Sequence, residues 1–400
     1  MIKSKTYNIL MYSHDTYGLG HIRRTMAIAS SLRERGINIL ILTGSPLAGR
    51  FDFPPQIDFI RIPGMIKKTN EEYFPLSIKI NPGHAMDIRQ SIIAATAKAF
   101  RPDLFIVDKE PLGLKKEILP TLRWIKKHLP RTKTVMGLRD IMDDAETIKE
   151  NWHRRGTYDV FEKLYSEIWV YGVQEIYDPA KEYEMQDSIR EKMHFTGYIP
   201  RREPEQREII KERKSNGIKV DDKLVVVTTG GGGDGSAVIE AYLGMIRKLK
   251  HDLNGEIPFQ SIVITGPFMS SSKRKLFFRQ ARELGIKAFH FYRQMEKLMA
   301  GADVVVTMGG YNTLCELMTL KIPGLVIPRE TPRLEQLIRA QRFHSFGYID
   351  YIRWNELTPE SLAIKIFALL ENPLAGKEAM LNFPLTGIEV MKKRIESFRG

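Results

Sequence analysis

LVVVTTGGGGDGSAVIEAYLGMIRKL, from Leu224 to Leu249, is the stretch that decides the fold. A run of β-branched residues ends in Gly230, Gly231, Gly232 and Gly233, followed by Asp234, Gly235 and a helical stretch from Ser236. Strand, glycine turn and helix in that order open a parallel crossover unit. A run this permissive costs stability in a mere connector, so it reads as a loop that cradles phosphates where a helix begins. No Lys-Ser/Thr pair follows the glycines, which argues against P-loop hydrolysis of ATP.

The same grammar extends to both sides. After the glycine unit come SIVITG from Ser261, KAFHFY from Lys287, DVVVTM from Asp303 and PGLVIP from Pro323, with helices predicted over Asn312–Leu320 and Arg333–His344. Before it, YNILMY from Tyr7, INILIL from Ile37, IDFIRI from Ile57, LFIV from Leu104, KTVMG from Lys133 and EIWVYG from Glu167 form a first series, with a helix over His21–Arg35. The charged stretch from Pro200, PRREPEQREIIKERKSNGIKVDD, separates the two series and has a central part that suits a surface helix. The expected architecture is α/β: two Rossmann-like domains facing each other across a cleft. They span residues 1–200 and 223–375, with an inter-domain connection over 201–222 and a C-terminal helix over 376–400 that packs back toward the first domain.

The 400 residues are 43% hydrophobic and 27% charged, an ordinary globular balance. The net charge of +13 favours an anionic partner. No recognisable basic-aromatic module appears, so no specific nucleic-acid binding is expected. The single Cys315 leaves no internal disulfide and too few thiols for a zinc or iron–sulfur site. No apolar run reaches the roughly 20 residues of a spanning helix, and the N-terminus lacks a signal-peptide pattern. A cytoplasmic protein is expected, peripheral at the inner face of the plasma membrane if it meets one. The acidic strings MDDAE from Met142 and VDD from Val220 read as solvated loop acids, and no metal is expected.

Two further turns carry chemistry. YSHDTYGLGHIRRTMAIASSL from Tyr12 places Gly18, Gly20 and His21 between the first strand and its helix, where the backbone can approach an anion. Arg23 stands where a dinucleotide fingerprint needs its third glycine, which disfavours a simple NAD or FAD enzyme. In VVVTMGGYNTLCELM, Gly309 and Gly310 end a strand, Asn312 or Thr313 is a helix cap, and Glu316 lies within reach of ligand hydroxyls. PRETPRLEQ from Pro328 then brings Arg329, Glu330, Arg333, Glu335 and Gln336 to the carboxyl end of another strand. A basic stretch, LKKEILPTLRWIKKHLPRTK from Leu114, has Leu122, Ile125 and Leu129 on one helical stripe with Arg123, Trp124, Lys126 and Lys127 off it.

The segment from Phe291 to Phe343 resembles the donor-binding half of GT-B glycosyltransferases of the MurG-like family, glycosyltransferase family 28. GGGGDGS occupies the place of that family's second glycine loop, and GLGHIRR and IDFIRIPG resemble its N-terminal half. The strings YGLGHIRR, IVDKEPLG, GLRDI and MGGYNT resemble a branch of predicted glycosyltransferases within it. The resemblance implies that Gly232, Gly233 and Gly310 lie against the diphosphate, with Gly231 and Gly309 among the substrate-binding residues, and that Thr313 sits at the phosphate-facing helix start. It further implies Glu316 on the donor ribose, backbone around Tyr292 on the base, and Glu335 and Gln336 on the donor sugar. His21 would lie beside the reaction centre as catalytic base, with Asp108 and Asp140 as alternatives. The implied activity is metal-free and cofactor-free transfer of a sugar from a nucleotide diphosphate sugar, UDP favoured, to an acceptor hydroxyl. The family's HEQN-like string is replaced by GLRDI around Arg139 and Asp140, so the acceptor is not carried over. Two alternatives stand beside transfer: a MurG-like nucleotide-sugar hydrolase, and a non-catalytic nucleotide-sugar-binding protein.

Overall fold

The computed structural model describes residues 6–14, 20–46, 48–50, 53–67 and 72–399. It divides into two units, one of residues 1–199 with 384–400 and one of residues 200–383.

The first unit is built on β1 (Tyr7–Ser13), β2 (Ile37–Thr43), β3 (Ile57–Arg61), β6 (Leu104–Asp108), β7 (Lys133–Arg139), β8 (Glu167–Tyr171) and β9 (Met193–Phe195). All pair in parallel, in the order β3-β2-β1-β6-β7-β8-β9. A separate antiparallel hairpin joins β4 (Met65–Lys67) to β5 (Tyr73–Pro75). β6 and β8 are buried at every residue, as expected of strands covered by helices on both faces. The order reverses between β1 and β6, and a doubly wound sheet opens a crevice at the carboxyl ends of the two strands flanking such a reversal.

The second unit holds β10 (Leu224–Thr228), β11 (Gln260–Ile264), β12 (Lys287–Phe289), β13 (Val304–Thr307), β14 (Gly324–Val326) and β15 (Asp350–Tyr351). They are parallel, in the order β12-β11-β10-β13-β14-β15, so here the reversal lies between β10 and β13. A continuous apolar core joins Val225, Val227, Val304 and Val306 of the sheet to Ile239, Tyr242 and Ile246 of the helix Ser236–Asp252.

Several boundaries differ from those read in the sequence. KAFHFY contributes only Lys287–Phe289, because this strand sits at the sheet edge and pairs with β11 over three residues. β9, β15 and the β4–β5 hairpin are each two or three residues long, too short to show a period. The first helix spans Gly20–Leu32 and the last of the sheet-packing series Glu335–Ser345. Residues 201–222, expected as a connection, are packed into the second unit. The helix Gln206–Ser215 lies on the helix Met295–Ala300 through a Glu208–Lys297 ion pair of 3.0 Å, and Arg213 binds the carbonyls of Gly301 and Asp222. Over 376–400 the expected single helix is two, Pro373–Leu381 and Gly387–Arg399, broken at Pro384, which cannot donate a helical hydrogen bond. The second of these belongs to the first unit, where Arg394 pairs with Glu167 and Phe398 stacks on Trp169. Of the acids of MDDAE only Glu146 is a solvated acid as expected: Asp143 is buried, and Asp144 caps the helix Ala145–Arg155 by accepting the Thr147 N–H at 3.0 Å.

Candidate functional site

In the first unit the side chains gather at the β1/β6 reversal. His21 is the second residue of the helix that follows β1, and Asp108 is the last residue of β6. Their side chains meet, His21 Nδ1 lying 3.0 Å from Asp108 Oδ2. One helical turn after His21, Arg24 grips both oxygens of Asp108, with Nη2 at 2.8 and 2.6 Å and Nε at 3.0 Å. Asp108 and Arg24 are buried, whereas the His21 side chain keeps 14% of its surface exposed. A third residue thus completes the pair. Arg24 is not among the residues expected from sequence, although its i, i+3 spacing from His21 is the signal that could have revealed it.

The electrostatics follow from that packing. Burial pushes the Asp108 carboxyl up, but the Arg24 charge and the hydrogen bonds from His21 and Arg24 outweigh it and hold the group well below the usual carboxylate range. His21 is lowered to about 3, chiefly by burial, with Lys109 and Arg24 acting in the same direction against Asp108. The pair is therefore a neutral imidazole beside a carboxylate. A carboxylate has no proton to give, so Nδ1 carries the hydrogen and Nε2 keeps a lone pair, the state a general base needs.

Asp140 lies just past β7, and its two oxygens are engaged by the Ile141 N–H at 2.7 Å and the Tyr198 hydroxyl at 3.3 Å. This carboxylate shapes the strand end, and the structure sets Asp108, not Asp140, on His21. Gly20 opens the helix, and Gly18 lies outside the described residues.

In the second unit the glycine loop follows β10. Gly232 has φ +85° and Gly266 φ +84°, and a Cβ on Gly232 would lie 2.1 Å from the Thr265 carbonyl oxygen and 3.0 Å from Gly266 Cα. The loop is held as two backbones in close approach, further fixed by the Phe268 N–H donating to the Gly231 carbonyl at 2.8 Å. Gly233 is exposed at its tip. On the other side of the reversal, Gly309 has φ +75° and packs on Val326, and Gly310 is the N-cap of the helix Tyr311–Leu320. No side chain caps that helix: Asn312 and Thr313 fall inside its first turn, and Asn312 Oδ1 instead accepts from Arg201 at 2.8 Å. A glycine N-cap at the carboxyl end of a strand aims the first-turn amides into the crevice. Glu316 is buried in the second turn.

Glu335 and Gln336 begin the helix after β14, and both are tied to Arg329. Arg329 Nη2 meets Glu335 Oε1 at 2.7 Å, and the Arg329 N–H donates to Gln336 Oε1 at 3.0 Å. Nη1 of the same arginine reaches Asp234 of the glycine loop at 2.9 Å. Arg329 thus joins the expected phosphate loop to the expected sugar-reading helix. The Tyr292 hydroxyl bonds Glu212 and accepts from Asn216 at 2.6 Å, which fixes the loop after β12.

Residues 225–395 match the glycosyltransferase family 28 C-terminal domain. The chain is 36% identical over 95 residues to the UDP-N-acetylglucosamine--N-acetylmuramyl-(pentapeptide) pyrophosphoryl-undecaprenol N-acetylglucosamine transferase of Geobacillus kaustophilus, covering 23% of this chain and 27% of that protein. It is 30% identical over 176 residues to the protein of the same name from Clostridium botulinum, covering 42% and 46%. The chain thus spans less than half the length of these curated relatives. Solved structures agree over the whole length at low identity. Acinetobacter baumannii MurG superposes with a TM-score of 0.61 at 12% identity, covering 98% of this chain and 99% of that one. Phytolacca americana UGT2, solved with UDP-2-fluoro-glucose and pterostilbene, gives 0.63 at 11% identity with full coverage of both. Residues 225–395 are thus similar to the glycosyltransferase family 28 C-terminal domain, and the chain shares the two-sheet α/β fold of these solved structures, the GT-B fold.

Proposed function

We propose that this protein transfers a glycosyl unit from a nucleotide diphosphate sugar, with UDP-sugars favoured, to an acceptor hydroxyl. The His21–Asp108–Arg24 cluster carries the reading, because it supplies an oriented neutral base at the crevice of the first sheet. His21 Nε2 takes the acceptor's hydroxyl proton as that oxygen bonds to the anomeric carbon. The bond from that carbon to the β-phosphate oxygen breaks, and the nucleoside diphosphate leaves with the electron pair. Glycine-loop amides and the amides following Gly310 stabilise the leaving charge without a divalent metal. Glu316 takes the ribose, and Glu335 and Gln336 the donor sugar. The relatives' names support a UDP-sugar donor.

A thermal-shift panel of nucleoside diphosphates and their sugars, followed by product analysis with and without EDTA, tests this. Stabilisation by UDP and a UDP-sugar, and sugar transfer to cell-extract acceptors that survives EDTA, are expected. No shift with any nucleotide would overturn the donor assignment, and sugar release that extract does not raise would assign hydrolysis instead.

The acid limb of kcat/KM is expected well below pH 6.5, because the base must be neutral and His21 titrates near 3. The same depression works against stability in acid. Between about 3 and 6.5 the unfolded histidine binds a proton that the folded one refuses, so stability falls as pH drops through that window. A pH-rate profile and melting temperatures across the same range check both signs.

The acceptor is proposed to be presented at an anionic membrane. Among the described residues no helix is long and apolar enough to cross one. The helix Leu119–His128 buries Leu122 and Ile125 and leaves Arg123, Lys126 and Lys127 exposed, a basic face suited to acidic headgroups. Flotation with vesicles containing anionic lipid but not with neutral ones is expected; equal failure in both would end the idea.

A further inference from the structure

Beneath the His21 cluster lies a second, fully buried polar chain that the proposed reaction does not use. Arg89 and Glu117 form a bidentate pair, Nε to Oε2 at 2.7 Å and Nη2 to Oε1 at 2.6 Å, and Arg89 Nη1 donates to the Pro63 carbonyl at 2.6 Å. The Tyr12 hydroxyl donates to Glu117 Oε1 at 2.5 Å. The same hydroxyl oxygen lies 3.3 Å from His14 Nδ1. His14 follows directly on β1, is only 5% exposed, and sets its ring edge-on to that of His21 with centroids 6.0 Å apart.

A buried ion pair is a costly way to fill a core, and its best-attested use is to fix a particular arrangement. Here the arrangement is a tautomer. A tyrosine hydroxyl has one proton, and Tyr12 commits it to Glu117; the contact with His14 is therefore made by His14 Nδ1–H donating to the Tyr12 oxygen. With Nδ1 turned to Tyr12, the ring directs Nε2, with its lone pair, away from the chain. His21 is held in the same tautomer by Asp108. Two imidazoles at the carboxyl end of one strand thus each have Nδ1–H anchored to a carboxylate, His21 directly and His14 through Tyr12.

We infer that His14 is an acceptor-positioning residue: its Nε2 accepts a hydrogen bond from the attacking molecule beside the hydroxyl that His21 deprotonates, and the Arg89–Glu117–Tyr12 chain exists to keep that lone pair presented. The consequence for substrate class is an acceptor with a second hydrogen-bond donor close to its nucleophilic hydroxyl, as in a polyol or a sugar. Burial, with Lys109, His21 and Arg89 against Glu110, keeps His14 neutral and so able to accept.

This inference rests on the transfer reading for its role but not for its geometry, so two measurements separate them. In ¹⁵N NMR of the imidazoles, which needs no substrate, His14 is expected as the neutral Nδ1–H form, and Tyr12→Phe is expected to change the His14 signals while leaving those of His21. A His14 carrying its hydrogen on Nε2 would overturn the proposal whatever the enzyme does. The second measurement is turnover, read as UDP release from the UDP-sugar that stabilises the protein most, with glycerol as the probe acceptor. Asparagine in place of His14 keeps a donor where Nδ1 was, whereas glutamine keeps an acceptor where Nε2 was. His14→Asn is expected to lower kcat/KM about tenfold and His14→Gln to retain most of it. The reverse order would mean that His14 serves only to hold Tyr12, and would sink the inference.

Discussion

Asp108→Asn is expected to lower kcat by about a hundred- to ten-thousand-fold and to destabilise the fold by about 3–5 kcal/mol. Both losses come from one carboxylate. It accepts from His21 Nδ1 at 3.0 Å and from Arg24 at 2.6–3.0 Å, so the amide leaves a buried guanidinium without its counter-charge. An amide can also present a donor to His21, which releases the histidine into the tautomer whose Nε2 carries hydrogen and cannot act as a base. His21→Ala separates the two effects. It keeps the Asp108–Arg24 pair and removes a side chain that still has solvent contact, so a similar loss of kcat is expected with a much smaller change in melting temperature. UDP affinity is expected to stay within about twofold in both variants, since the proposed nucleotide site is built on the other unit. A His21→Ala enzyme with undiminished kcat would remove His21 from the mechanism.

The second large effect is at the glycine loop, where two substitutions are expected to part company. Gly232→Ala places a Cβ 2.1 Å from the Thr265 carbonyl oxygen on a backbone with φ +85°, and both obstacles are main chain. Strain and overpacking together are expected to cost about 2–4 kcal/mol, with loss of measurable UDP binding as the loop shifts. Gly310→Ala meets nothing within 4 Å and has φ −62°, ψ 142°, so less than about 1 kcal/mol is expected. Its Cβ nevertheless stands at the N-cap, where a phosphate would approach the helix amides. Titration calorimetry is expected to show UDP binding weakened about tenfold or more in this stable variant. Wild-type affinity in Gly310→Ala would place the diphosphate elsewhere.

These contrasts also mark how much of the site can be read from the chain. Gly232 and Gly310 are both glycines after a strand and look alike in sequence. One is required by the approach of Gly266, thirty-four residues away, and the other has open space beside it. His21 is legible because a strand, glycines and a helix announce an anion-facing turn around it. Asp108 could be named only as an alternative base, since 87 residues separate it from His21 and only the parallel β1–β6 pairing brings it alongside. Arg329 is visible in PRETPRLEQ, but its hold on Asp234, 95 residues back, is not.

What the sequence determined by itself is the class of fold, and with it the strand-to-helix turns at which we propose that a ligand binds. Period-two apolar runs, glycine turns and helical stripes are local properties, and their alternation permits little besides parallel doubly wound sheets. What only the tertiary structure decided is the protonation chemistry. A lone pair on His21 Nε2, and by our inference on His14 Nε2, depends on burial and on partners contributed by distant strands and helices. Such electrostatic terms become strong only when the fold has removed the water between the groups.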